Sequence, residues 1–324
     1  MSSVELAEIT SQHLPAPVPY AMLMPDNALE LPMCVLLLGG GGTREALFDL
    51  QPLFDKWWSD GLVLPMRIAT PTPGLDYYME EPRGTVRWDS FVLSDFVPHI
   101  RSQFGFTHCA ITGISAGGYG ALKIAFATPG AFDAVAVMQP MLEPGLRECD
   151  VQPRNRLHHA AGGPPQLVGP QRDATLWESN NPAIRAREHC QEIKARDLAI
   201  YIDAADNDFL NAHDGAEFLH RMLWEQDISH EYRLMRGADH GGLSMRPRLA
   251  AMFSWLSSVW DRPAIDLAAE QNATEWLQSG MQGRPPAGVT TTEAFIQFLR
   301  SRLAPVRSQA AQLDPSTNRR FGLL

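Results

Sequence analysis

Apolar residues recur along the chain in two spacings. Short unbroken apolar runs bounded by turn residues predict strands at 20–24 (read as an edge strand), 33–38, 65–69, 108–112, 134–138, 198–204 and 232–235. The run 33–38 is stopped by Gly39, Gly40, Gly41 and Gly42, the mark of a strand buried on both faces. Helical spacing appears between these runs. Residues 44–59 place Leu47, Leu50, Leu53, Phe54 and Trp57 on one stripe, and Gly61 ends the helix. Residues 88–104 carry Phe91, Phe96 and Ile100, and 116–127 stop before Pro129. Further helices are expected at 218–224 and 252–260. Strands alternating with helices predict an α/β fold with a mostly parallel central sheet and helices on both faces.

Two segments break that rhythm. Residues 139–197 are rich in Pro, Gly, Arg and polar side chains. They lie between two expected strands and are read as a candidate cap within a catalytic domain spanning 1–261. From 262 the composition shifts again. Residues 263–279 and 292–303 read as helices joined by a linker at 280–288. Phe295, Phe298, Leu299 and Leu303 form a stripe, with Thr292 as N-cap and Pro305 as stop. This C-terminal helical extension, 262–324, must dock on something. It predicts lid support or a homo-oligomer contact.

Composition narrows the function classes. The chain has 324 residues, 45% apolar and 20% charged, as in a globular protein able to bury a large core. Lys plus Arg number 27 against 37 Asp plus Glu, a formal net charge of −10. With no basic run, nucleic-acid binding is not expected. No apolar stretch reaches the length of a membrane span. Residues 1–9 carry Glu5 and Glu8 and no basic-then-apolar block, so no signal peptide is predicted. Cys34, Cys109, Cys149 and Cys190 show no paired spacing and suit a reducing compartment. A cytoplasmic location is expected.

The chemistry concentrates at Gly113-Ile114-Ser115-Ala116-Gly117, a G-x-S-x-G pattern that follows an expected strand and opens an expected helix. Such a serine sits on a tight, strained strand-to-helix turn with its hydroxyl above the sheet. A serine hydroxyl needs a base. Among ten histidines, His240 lies late in the chain, in Gly237-Ala238-Asp239-His240-Gly241-Gly242, just after an expected strand. His99, His220 and His230 fall in or beside helices and read as structural. Adjacent side chains diverge at His158 and His159 and no third ligand is evident, so neither a metal nor a cofactor is predicted. The imidazole in turn needs a carboxylate. Asp206 and Asp208 compete in the loop after 198–204. Asp208 is preferred because Phe209 and Leu210 can anchor its turn, and Asp206 stays open as the alternative. Serine, acid, histidine is the order of an α/β-hydrolase.

Gly39–Gly42 is not a phosphate loop, since no Lys-Ser or Lys-Thr follows, and the third glycine of a dinucleotide fingerprint would fall on Arg44. The amides of Gly40 or Gly41, together with that of Ala116, are candidate oxyanion donors. Tyr78, Trp88, Tyr119 and Trp177 are candidate substrate-binding residues.

The segment from Gly113 to Leu122 resembles the nucleophile region of the “Putative esterase” family of α/β-hydrolases. That family includes esterase D, S-formylglutathione hydrolases, enterochelin esterases, feruloyl esterases and mycolyltransferases. Asp76-Tyr77-Tyr78 and Trp88-Asp89-Ser90-Phe91 are also similar to its segments before the serine. The resemblance covers about residues 18 to 260. It implies an α/β-hydrolase fold, a Ser115–Asp208–His240 triad and no metal. The leading expectation is therefore a serine esterase acting on a small-molecule carboxylic ester through an acyl-enzyme. Transfer of the acyl group to an alcohol needs the same residues, and a non-catalytic binding module is the remaining class.

Overall fold

The computed structural model describes residues 2–26, 30–73, 77–81, 84–156, 174–261 and 264–310. It divides into two compact units, Met1–Trp260 and Asp261–Leu324.

Strand β3 (Met33–Leu37) shows why the first unit is layered. Its side chains alternate across the pleat. Met33, Val35 and Leu37 join one apolar cluster, and Cys34 and Leu36 join another on the opposite face. All five are fully buried, so helices must cover both sides. One face is closed by α1 (Ala46–Ser59) and α9 (Met245–Trp260). Their Phe54 and Phe253 rings meet edge to face at 4.7 Å. The other face packs against α4 (Ala116–Ala127) and α8 (Ala212–Glu225), through Leu122, Phe126, Leu219 and Leu223. It also receives the helical stretch made of α2 (Trp88–Ser90), a π-helical segment (Phe91–Phe96) and α3 (Val97–Phe104). An ordinary helix was expected over 88–104. The wider turn instead precedes Pro98, which has no N–H to give the preceding turn.

The sheet has eight strands in the order β1-β2-β4-β3-β5-β6-β7-β8. The last six in that order run parallel: β4 (Arg67–Pro71), β3, β5 (Cys109–Ile114), β6 (Ala134–Met138), β7 (Ala199–Ala205) and β8 (Glu231–Met235). β2 (Val18–Pro25) is antiparallel to β4 and to β1 (Ser2–Ile9). Residues 20–24 are therefore not an edge strand. β1 takes the edge, with mainly exposed or half-buried side chains and no apolar run to announce it.

The segment after β6, expected as a candidate cap, is helical over much of its described part. Helices α5 (Ala174–Asn180), α6 (Pro182–Glu188) and α7 (Cys190–Ala195) are part of the wall, since Ala183, Ala186, Cys190 and Ile193 enter the main core. The Asn181 side chain caps α6, accepting from the Ala183 N–H at 2.9 Å. His158 and His159 lie outside the described residues.

In the second unit, α10 (Ala264–Gln278) and α11 (Thr291–Ala310) pack through Ala273 and Ala294, joined by Val289 of the segment between them. α11 passes Pro305, where a stop was expected. Phe295, Phe298 and Leu299 of the expected stripe are exposed. Among the described residues, no helix is long and apolar enough to cross a membrane.

His220 and His230 form an edge-to-face polar pair beside β8. His230 Nδ1 faces the Ile228 carbonyl oxygen at 2.7 Å and must donate to it. Its Nε2 is left to accept from His220 Nδ1 at 2.8 Å. The two facing nitrogens share one proton, so protonating both rings sets donor against donor. Burial lowers the proton affinity of both imidazoles below the ordinary histidine value of 6.5. The unfolded chain then binds more protons as pH falls through about 6.5, so stability is lost toward acid. Urea unfolding at pH 7.5 and pH 5.5 should show a larger acid loss for the native chain than for the His220→Asn/His230→Asn double variant. Equal losses would remove the pair from the acid response.

Candidate active site

Ser115 sits between β5 and α4 with φ +56° and ψ −120°, outside the ordinary regions for a residue with a side chain. Three backbone bonds hold it there. Its N–H donates to the Met138 carbonyl at 3.1 Å, and its carbonyl accepts from Tyr119 and Met141. The turn closes only because its flanks lack side chains. A Cβ on Gly113 would stand 2.1 Å from the Gly117 carbonyl oxygen, and one on Gly117 would stand 2.0 Å from that of Leu37. Strand and helix backbones thus touch, and the serine is lifted over the carboxyl end of the sheet beside the first turn of α4.

His240 reaches it from the loop after β8. Its Nε2 lies 2.9 Å from Ser115 Oγ, and its Nδ1 lies 2.7 Å from Asp208 Oδ2. The Asp208 side chain is fully buried. Its other oxygen accepts from the Leu210 N–H at 2.7 Å, so the turn anchors the acid. Asp206 is placed elsewhere, accepting from the Gly237 N–H at 2.6 Å. A carboxylate on Nδ1 fixes that nitrogen as the protonated one. Nε2 is then free to accept the serine proton.

The two loops that carry acid and base are tied together. Asn207 N–H donates to the Ala238 carbonyl at 3.0 Å. Asp239 Oδ1 accepts from the N–H groups of Phe209, at 3.1 Å, and of His240, at 2.6 Å. The Phe209 ring meets the imidazole edge-on at 5.7 Å. Buried Arg248 of α9 donates to the Asp239 carbonyl at 3.0 Å. Asp239 and Arg248 escape a sequence reading, because nothing local distinguishes them from ordinary surface charges.

A cavity of about 410 Å³ opens over Ser115 and His240. Gly39 and Gly40 form one wall, and Ile114, Met141, Leu210 and Met245 make it largely apolar. Tyr77 and Gln139 complete the lining with Gly241. Of the candidate oxyanion donors, Gly40 lines the cavity and Ala116 opens α4. Gly41 does not line it. It takes φ +76° in the turn closed by the Gly42 N–H on the Gly39 carbonyl, a role glycine fills without strain.

The four aromatic candidates are corrected from cavity lining to core. Tyr78 is fully buried and donates to the Leu38 carbonyl at 3.0 Å. Trp88 packs edge-on against it at 4.9 Å. Tyr119 donates to the Asn180 carbonyl at 2.7 Å, and Trp177 to that of Leu146 at 2.9 Å. Their ring areas satisfy packing, and each polar tip that bonds does so to backbone, Tyr119 Oη reaching the Met79 sulfur at 3.6 Å as well. The tyrosine at the cavity is the neighbour Tyr77, held at φ +51°.

The buried thiols are poor competitors as nucleophiles. Burial pushes Cys34 up to about 12 and moves Cys109 in the same direction.

The profile of the “Putative esterase” family matches residues 22–256. No curated protein sequence matches the chain. Several solved structures share its fold. A ferulic acid esterase superposes with a TM-score of 0.63 at 19% identity, over 80% of this chain and 99% of that one. A fluorophosphonate-binding serine hydrolase of Staphylococcus aureus gives 0.62 at 13%, over 79% and 98%. An S-formylglutathione hydrolase of Agrobacterium tumefaciens gives 0.59 at 17%, over 79% and 93%. The fold they share is that of the α/β-hydrolases.

The close approach at Gly117 has a measurable consequence. Gly117→Ala must push backbone against backbone, with an expected loss of about 1–3 kcal/mol or more in urea unfolding. Gly41→Ala meets nothing within 4 Å and bears only the left-handed backbone cost of roughly 1–2 kcal/mol. If Gly117→Ala is the milder of the two, the contact does not shape the turn.

Proposed function

The chain belongs to the “Putative esterase” family, and from that premise we propose that it cleaves small-molecule carboxylic esters through a Ser115–His240–Asp208 triad and an acyl-enzyme. The observation that carries the reading is the single imidazole standing 2.9 Å from one serine oxygen and 2.7 Å from one buried carboxylate.

The steps follow from that arrangement. Ser115 Oγ attacks the ester carbonyl while its proton passes to His240 Nε2. The amides of Gly40 and Ala116 donate to the oxygen that becomes negative, a contribution worth roughly 10²–10³ in rate per donor. Asp208 stabilises the imidazolium through Nδ1–H. The tetrahedral intermediate collapses, the C–O bond breaks, and the alcohol leaves with the proton from His240. Water then attacks the acyl-enzyme with His240 again as base, releasing the acid and restoring Ser115. The apolar cavity wall suits an uncharged acyl or alcohol group, because a charge there would lack a counter-ion.

A fluorophosphonate probe should label the native chain and leave Ser115→Ala unlabelled, and Ser115→Ala should lose hydrolysis of 4-nitrophenyl acetate. Retained hydrolysis in Ser115→Ala would refute the reading. Asp208→Asn should lower turnover by up to about 10⁴-fold. Asp206→Asn, which disturbs only the Gly237 contact, should cost far less, and the reverse ranking would move the acid.

A further inference from the structure

Behind the triad lies a second buried polar chain that the hydrolytic steps do not use. Gln139 follows β6 with φ +41°, an unusual conformation for glutamine. Its N–H donates to the Asp203 carbonyl at 2.6 Å, and its side-chain Oε1 accepts from Arg248 Nη1 at 2.6 Å. Arg248 is itself fixed. Its Nε donates to Asp203 Oδ1 at 2.7 Å, Nη2 shares that oxygen, and both side chains are 1% exposed.

A guanidinium has donors and no acceptor, so it dictates how the amide turns. Oε1 must face Arg248, and the two N–H bonds of Nε2 must point the other way. Gln139 lines the cavity with Ser115 and His240. Among the described residues, no hydrogen bond takes up Nε2. A rigid neutral donor is thus presented in an otherwise mostly apolar lining. The same Arg248 Nη1 bonds to the carbonyl of Asp239, the residue before His240. One side chain therefore sets both the donor and the base.

We propose that Gln139 Nε2 is a specificity-determining donor for a second, uncharged oxygen of the substrate, an ether, hydroxyl or carbonyl close to the reacting ester, and that Arg248 is the positioning residue that aims it. The inference rests on the serine-esterase reading. That oxygen is neutral because the described lining holds no Lys or Arg to meet a carboxylate. A substrate without it must strip water from the donor and give nothing back, and this is the source of discrimination.

Two matched ester pairs test the idea and separate the two places the oxygen could sit. On the acyl side, 4-nitrophenyl methoxyacetate is compared with 4-nitrophenyl butyrate. On the alcohol side, 2-methoxyethyl butyrate is compared with butyl butyrate. In at least one pair, Gln139→Met should lower the oxygenated-to-hydrocarbon ratio of kcat/KM about tenfold from the native ratio. Arg248→Lys should lower the same ratio, and the double variant should lower it no further, as expected for groups acting as a unit. Ratios unchanged in both pairs for both variants would overturn the proposal, whatever happens to the absolute rates. A purely structural role predicts that outcome, since misplacement of His240 slows both members alike. Loss of all hydrolysis in Ser115→Ala reports on the esterase reading separately, so the two failures are distinguishable.

Discussion

The hydrogen bond between Ser115 Oγ and His240 Nε2 joins residues 125 positions apart in sequence. Little else in the first unit matters chemically unless that contact holds. It depends on three loops leaving the carboxyl ends of β5, β7 and β8 in fixed register. The parallel pairs β5–β6, β6–β7 and β7–β8 supply the register, and the glycines flanking Ser115 supply the height. The loops would still drift without cross-links, because exposed backbone at strand ends is the first part of a sheet to open. Asp239 binds the acid loop to the base loop, and Arg248 ties both to the sheet through Asp203.

The result is a division between groups that face the cavity and groups that hold them. Ser115, His240 and Asp208 surround a cavity whose walls are mostly apolar. Around them, strain is stored at Ser115 and Gln139, both at positive φ just past the ends of adjacent strands. Each is over-determined by backbone bonds to neighbouring segments. Rigid placement of this kind lowers the reorganisation needed as charge develops, which is how a weak nucleophile becomes useful.

Much of this was legible in the sequence, and the parts that were not share a cause. Strands with apolar runs announce themselves, so seven of the eight strands lie close to where the pattern puts them. β1 did not, because its exposed face leaves only Val4, Leu6 and Ile9 in a polar background. Losing it misplaced the edge of the sheet. Ser115 and His240 are marked by glycine context and by chain order. Asp208 is preferred over Asp206 in the sequence for the anchoring Phe209-Leu210, and the structure brings Asp208 within 2.7 Å of the imidazole. The aromatic assignments failed by facing. Periodicity cannot say which side of a loop a ring takes, and Tyr77 and Tyr78 exchange roles through a single residue of register. Arg248 and Gln139 were invisible because their partners lie 45 and 109 residues away.

The most direct test of the central claim is to catch the covalent intermediate. Rapid acid quench of the native chain turning over 4-nitrophenyl butyrate, followed by peptide mapping by mass spectrometry, should find a butyryl group on the peptide that contains Ser115. Ester turnover with the acyl group on another residue, or with the Ser115 peptide unmodified throughout the burst, would contradict the account.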